Sequence, residues 1–77
     1  MEERRQSISY KGLIDKLVRE IGRLLGKDAN HLTDKITLHR VADQHPNWGA
    51  DIGAVSPYDL SAFRQALESM LALYELN

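Results

Sequence analysis

The chain has 77 residues, a formal net charge of −1 and no cysteine. The absence of cysteine excludes disulfides and thiolate metal sites. A chain this short must therefore be stabilised by good packing or by association. No apolar run approaches the ~20 residues that cross a bilayer, and the charged fraction of 27% is ordinary for a globular domain. The composition therefore predicts one cytoplasmic domain without a cofactor at residues 8–77, preceded by a flexible tail at residues 1–7.

The first predicted helix runs from about Ser9 to Leu25. Ser9 can cap its first turn, and Gly26 stands where a left-handed residue commonly ends a helix. Apolar residues recur between them at steps of three and four, which is the spacing of one buried helix face. The members of this face are Leu13, Ile14, Leu17, Val18, Ile21, Leu24 and Leu25.

A second helix is predicted in the middle of the chain, capped by either Thr33 or Thr37 and ending by Gln44. Pro46 sets the end, because the residue before a proline avoids the helical conformation. Residues 36–39 also alternate between apolar and polar, as a strand does. Since a single strand has nothing to pair with, we expect a helix here.

Residues 45–54 are predicted to form an extended loop of about ten residues, because two glycines, a proline and an asparagine fall within them. The only tryptophan of the chain, Trp48, lies in this loop. It either packs back onto the core or is presented outward as an aromatic anchor.

The last predicted helix has the clearest start in the chain and runs from Pro57 to about Glu75. Ser56 can accept a bond from the backbone N–H of Asp59, and the Asp59 carboxylate can return one to Ser56. Pro57 occupies the first helical position, where its missing N–H has no cost. Three helices, with a loop before the C-terminal one, predict an all-α fold of the small three-helix bundle type.

The C-terminal helix carries more apolar surface than one bundle contact needs. Its main stripe is flanked by Ala62, Ala66 and Leu73, which widen the apolar arc to about 160°. A central position between the other two helices would also account for this width. The main stripe consists of Leu60, Phe63, Leu67, Met70, Leu71 and Tyr74.

This surplus predicts a small non-enzymatic interaction module, such as an adaptor, an inhibitor or a regulatory protein. It would bind a protein partner, or a second copy as a homodimer, through the C-terminal helix, since small domains often gain stability by pairing. No membrane or small-molecule substrate is expected. The predicted interface consists of Trp48, Ala62, Ala66, Met70 and Leu73.

A DNA-binding regulator is the alternative function. The polar side of the first helix carries a basic stripe that could contact successive phosphates. Against this, Glu20 lies within the stripe, and Asp15 can pair with a cation four residues later, as on an ordinary solvated face. The possible phosphate contacts are Lys16, Arg19, Arg23 and Lys27.

A local sequence resemblance bears on the same alternative. Residues 36–42, with the sequence ITLHRVA, resemble the opening helix of the helix-turn-helix in LacI-type repressors, and residues 54–56 resemble their turn into the recognition helix. That family places the turn directly after the first helix, whereas residues 45–53 intervene here. The following helix also begins with Asp59 and has Arg64 as its only cation, which is unfavourable against DNA. The chain is not assigned to that family.

Catalysis and metal binding have little support in the sequence. The candidate bases are His31, His39 and His45, but no serine stands in a Gly-x-Ser-x-Gly elbow and no glycine-rich phosphate loop follows a strand. His39 and Asp43 are four residues apart, which supplies two of the four ligands of a structural zinc site. We therefore predict neither an enzyme nor a metal site.

Overall fold

The computed structural model describes residues 5–77, and over that range the chain mixes α and β structure. It contains three helices, one of them a 3-10 helix, and four strands that form two separate two-stranded sheets. The prediction of an all-α three-helix bundle is therefore wrong. The elements, in chain order, are β1 (Gln6–Ile8), α1 (Tyr10–Leu25), the 3-10 helix (Asn30–Lys35), β2 (Ile36–Arg40), β3 (Trp48–Ile52), α2 (Pro57–Leu73) and β4 (Tyr74–Leu76).

Helix α1 follows its sequence signals. The Ser9 hydroxyl accepts the backbone N–H of Gly12 at 3.1 Å, which caps the first turn. At the other end Gly26 takes the left-handed conformation, with φ of 70°, and donates its N–H to the carbonyl of Gly22. Five of the seven residues of the predicted face are buried, namely Leu13, Ile14, Leu17, Val18 and Ile21, whereas Leu24 and Leu25 are half-buried. The limits of this helix are confirmed, and so is most of its buried face.

The predicted middle helix is wrong. Its first part is the 3-10 helix, and Ile36 to Arg40 form β2, which pairs in antiparallel fashion with β3. The partner strand comes from residues 48–52, which the sequence analysis assigned to a loop. Residues 36–42 resemble a repressor helix in sequence, but residues 36–40 of this segment form a strand, so that resemblance has no counterpart in the fold.

The ends of the described chain form the second sheet. Strand β1 lies parallel to β4, with Gln6 beside Tyr74 and Ile8 beside Leu76, and the N–H of Asn77 donates to the carbonyl of Ile8 at 2.9 Å. The predicted tail therefore includes two residues of β1, while residues 1–4 lie outside the described part of the chain. Helix α2 ends at Leu73 rather than near residue 75, because the backbone becomes extended at Tyr74.

The start of α2 matches its predicted cap in part. The backbone N–H of Asp59 donates to the Ser56 hydroxyl at 3.2 Å, and Pro57 begins the helix. The Asp59 side chain, however, is 11% exposed, and its Oδ1 has no hydrogen-bond partner within residues 5–77. Its other oxygen lies 3.9 Å from Nε2 of His31 in the 3-10 helix. The expected return bond to Ser56 is absent.

The hydrophobic core lies where α1 and α2 pack against each other and against the two sheets. Its largest fully buried side chains are Leu13, Leu17 and Ile21 of α1 and Leu32 of the 3-10 helix. The sheets contribute Ile36, Leu38, Trp48 and Leu76. Within the described residues, no helix is both long enough and apolar enough to cross a bilayer.

Candidate interaction surface

The residues of the predicted interface lie mostly inside the molecule. Trp48 is 2% exposed, and Ala62, Ala66 and Met70 are also buried, whereas Leu73 is 54% exposed. The indole Nε1 of Trp48 donates to the backbone carbonyl of Tyr74 at 3.3 Å, so its side chain points inward. Four of the five side chains are therefore covered by the chain itself, and a surface for a partner has to use other residues of α2.

A different side of α2 is partly open. Leu60, Leu67 and Leu71 are half-buried and pack at the edge of the core. Their spacing of seven and four residues places them on one side of the helix, together with the exposed Arg64. We call these three leucines the leucine flank.

The leucine flank arises from the order of large and small residues along α2. The row that faces the core contains Ala62 and Ala66 beside Phe63 and Met70. Small side chains fit where a helix approaches its neighbours closely, and the larger leucines are displaced to the side of that row. The sequence pattern alone favours the bulky leucines as core, because it does not show which side of the helix approaches its neighbours most closely.

The predicted basic stripe is half neutralised by carboxylates of its own helix. Nε of Arg19 lies 3.2 Å from Oδ2 of Asp15, and Arg23 donates two hydrogen bonds of 2.7 Å to the carboxylate of Glu20. Lys16 and Lys27 are exposed and have no ion-pair partner in the range 5–77. The DNA-binding alternative remains a prediction that the geometry does not strengthen.

The bidentate bond from Arg23 also changes the titration of Glu20. The hydrogen bonds to the guanidinium, with a smaller contribution from its charge, hold the pKa of Glu20 below its ordinary value. The same bonds raise the pKa of Arg23. Both groups are therefore charged at neutral pH.

The three histidines belong to different parts of the fold. His31 lies near Asp59, while Nδ1 of His39 lies 3.5 Å from Oδ2 of Asp51 on the outer face of the hairpin. His45 lies in the connection between β2 and β3. Among residues 5–77, no three or more His, Cys, Asp or Glu side chains form a group that could hold a metal ion.

The hydrogen-bond pattern of the hairpin fixes which backbone groups face outward. Gly53 donates its N–H to the carbonyl of Lys35 at 2.8 Å, and Val41 donates to that of Asn47 at 3.0 Å. In an antiparallel pair, directly opposed residues alternate between hydrogen-bonded and non-hydrogen-bonded pairs. The even-numbered residues of β3 therefore direct their N–H and C=O groups away from β2.

Strand β3 is the outer strand of this hairpin. In the pairs Ile36–Ile52 and Leu38–Ala50, the β2 member is buried and the β3 member is half-buried. On the other edge, the N–H of Leu38 donates to the hydroxyl of Tyr10 at 3.2 Å, so α1 covers β2. Ala50 and Ile52 make no backbone bond to another element within the described chain. We call these two residues the open edge of β3.

The outer face of the hairpin carries a histidine beside this edge. Side chains of His39 and Asp51 are 45% and 80% exposed. A Cβ built on Gly49 would lie only 3.1 Å from Nε2 of His39, which shows that the imidazole lies across the glycine. The ring thus reaches from β2 over β3 towards the open edge.

Comparisons of this chain with models of protein families, with curated proteins and with solved structures find no match.

Proposed function

We propose that this protein is a non-enzymatic interaction module that binds a protein partner through the leucine flank of α2. The supporting observation is that Leu60, Leu67 and Leu71 stay half-buried beside a row of residues that already fills the core. An apolar side chain left partly in water gains free energy when a partner covers it, by about 25 cal/mol per Å². An adaptor, an inhibitor or a regulatory protein would use such a surface.

The surroundings of the leucine flank support a protein ligand. Arg64 lies among the three leucines and is exposed, and arginine is enriched at the centres of protein interfaces. Farther around the helix Ser61, Gln65 and Glu68 are exposed and polar, which provides a hydrophilic rim on one side. The matching partner surface is an apolar helix or groove with an acidic residue opposite Arg64.

The test compares variants of the flank with a variant of the polar side. Arg64→Glu and Leu67→Lys alter the flank, and Ser61→Lys adds a charge at an exposed position beside it. Tagged proteins are used for capture from the native cell, with quantification by mass spectrometry. We expect specific partners to be reduced at least about tenfold by both flank variants and retained by Ser61→Lys.

Circular dichroism and thermal unfolding accompany the capture, because Leu67 also packs against the core. Arg64 is exposed, so its replacement tests the surface without removing a core contact. A set of partners that is unchanged by Arg64→Glu and by Leu67→Lys would refute the proposal.

A further inference from the structure

We propose that the open edge of β3 pairs in antiparallel fashion with the same edge of a second copy, and that each copy places its Asp51 against His39 of the other. This surface is separate from the leucine flank, and the inference goes beyond the function proposed above. It follows from the outward backbone groups of Ala50 and Ile52, from the position of the His39 ring and from the place of Asp51, the one charged residue of β3.

An unpaired strand edge is a ready template for another strand. Natural proteins commonly protect such edges with lysine, proline or a bulge. Residues 48–52 contain no lysine and no proline and pair with β2 in unbroken register. The open edge of β3 is therefore unprotected by any of these three devices.

The charge pattern selects one register for two copies. Because only even-numbered residues of β3 face outward, the register can change only in steps of two residues. One step in one direction places the two Asp51 carboxylates directly opposite each other, which is repulsive. One step in the other direction places Ile52 opposite Pro46, which has no N–H to donate. The remaining register lies between these two. It places Ala50 of one copy opposite Ala50 of the other, and the two residues exchange two hydrogen bonds.

In that register Asp51 of the second copy lies opposite Gly49. The pair does not exchange hydrogen bonds, so its side chains are close, with a Cα separation of about 4.5 Å. Nε2 of His39 already lies above Gly49, and Nδ1 of the same ring faces the Asp51 of its own chain. The imidazole is therefore held between two carboxylates, one from each copy, and the two-fold axis repeats the arrangement.

Gly49 favours this arrangement because it leaves room for the ring. A Cβ there would lie 3.1 Å from Nε2 of His39, so the ring would have to move slightly away from its present position. The contact is short, since Trp48 is buried at one end and the accessible edge comprises Ala50 and Ile52. So small an interface predicts a transient dimer, with a dissociation constant on the order of 100 μM.

The first test blocks the edge from outside. The N–H of Ala50 points away from β2, so Ala50→Pro removes an intermolecular donor and no bond of the hairpin, and proline is tolerated at such positions. Ala50→Ser keeps the N–H and is the matched control. Sedimentation equilibrium up to about 1 mM should show a dimer for the parent and for Ala50→Ser. We expect Ala50→Pro to weaken it at least about tenfold, since both central bonds are lost.

Amide hydrogen exchange locates the contact in the same samples. Slower exchange with rising protein concentration is expected at Ala50, whose N–H group faces outward and bonds to Ala50 of the second copy. The amide of Asp51 faces β2 and should change little. Leu67→Lys should dimerise like the parent, which separates this surface from the leucine flank.

The second test exchanges the charges. His39→Asp and Asp51→His should each weaken the dimer, because the first brings carboxylates together at the edge and the second removes the carboxylate that faces the imidazole. The double variant restores an imidazole opposite a carboxylate across the two-fold axis and should recover most of the affinity. If each single change left the affinity unaltered, the assignment of His39 and Asp51 would be wrong.

Three results would overturn the inference. The first is a strict monomer at about 1 mM, well above the expected dissociation constant. The second is a dimer that Ala50→Pro leaves intact. The third is a dimer that Leu67→Lys abolishes, which would place self-association on α2 and leave the proposed function standing.

Discussion

The indole of Trp48 connects the two sheets of the molecule, because its Nε1 donates to the backbone carbonyl of Tyr74 at 3.3 Å. Trp48 begins β3 and Tyr74 begins β4, so the bond links elements from different sheets. Neither sheet has more than two strands, and an isolated two-stranded sheet is marginally stable in water. Packing of Trp48 into the common core is therefore central to the fold.

Trp48→Phe is expected to lower the free energy of unfolding by about 1–3 kcal/mol. The phenyl ring keeps much of the apolar contact but leaves the Tyr74 carbonyl without its donor. Urea unfolding followed by far-ultraviolet circular dichroism measures the change. Tyr58→Phe, at a side chain that is 81% exposed, is the control and should stay within about 0.5 kcal/mol of the parent. Equal losses for the two variants would contradict the structural role of the indole bond.

Gly26→Ala is expected to destabilise the protein by about 1 kcal/mol through the backbone alone. Gly26 has φ of 70°, and a Cβ there would meet no atom within 4 Å, so no clash contributes. Gly26→Asn should cost less, because asparagine tolerates the left-handed conformation better than alanine. Thermal unfolding of the three proteins measures their stability, which we expect to decrease in the order Gly, Asn, Ala at position 26. Alanine as stable as glycine would show that the end of α1 is not held in this conformation.

The carboxylate of Glu20 should titrate below its ordinary range because of its bonds to Arg23. A pKa lowered in the folded state means that the pair contributes stability above the unfolded value and loses it as pH falls through the folded value. This window lies at acidic pH, below the pKa of an ordinary glutamate side chain. A titration of the side-chain carboxyl by NMR measures the pKa directly. Arg23→Gln should raise this pKa towards its ordinary value, whereas Lys16→Gln should leave it unchanged.

The ends of the two long helices could be predicted because the signals for them are local. Ser9 and Ser56 accept bonds from residues three positions away, and Gly26 supplies its own left-handed conformation. Each interaction is completed within about one turn of the chain. The buried face of α1 could be predicted for the same reason, since one stripe of large apolar residues is unambiguous.

The strands could not be predicted, because each depends on a distant segment. Residues 36–39 show the alternation of a strand, but a strand forms only where a second segment pairs with it. The partner, residues 48–52, contains Gly49 and Asp51, which are uncommon in strands and typical of loops. Strands β1 and β4 have three residues each and pair across almost the whole chain. Segments of three residues are too short to show the alternation of apolar and polar residues that indicates a strand.

The sequence by itself determined where the two α-helices begin, where α1 ends and which face of α1 is buried. Tertiary structure decided that the middle of the chain is a hairpin and that α2 turns Ala62 and Ala66 inward while its leucines stay half-open. Caps and helical periodicity act between residues that are near in the chain, so the local sequence contains all the partners they need. Strand pairing depends on neighbours that only the folded chain brings together. The same is true of the orientation of a helix, such as α2, that has apolar residues on two sides.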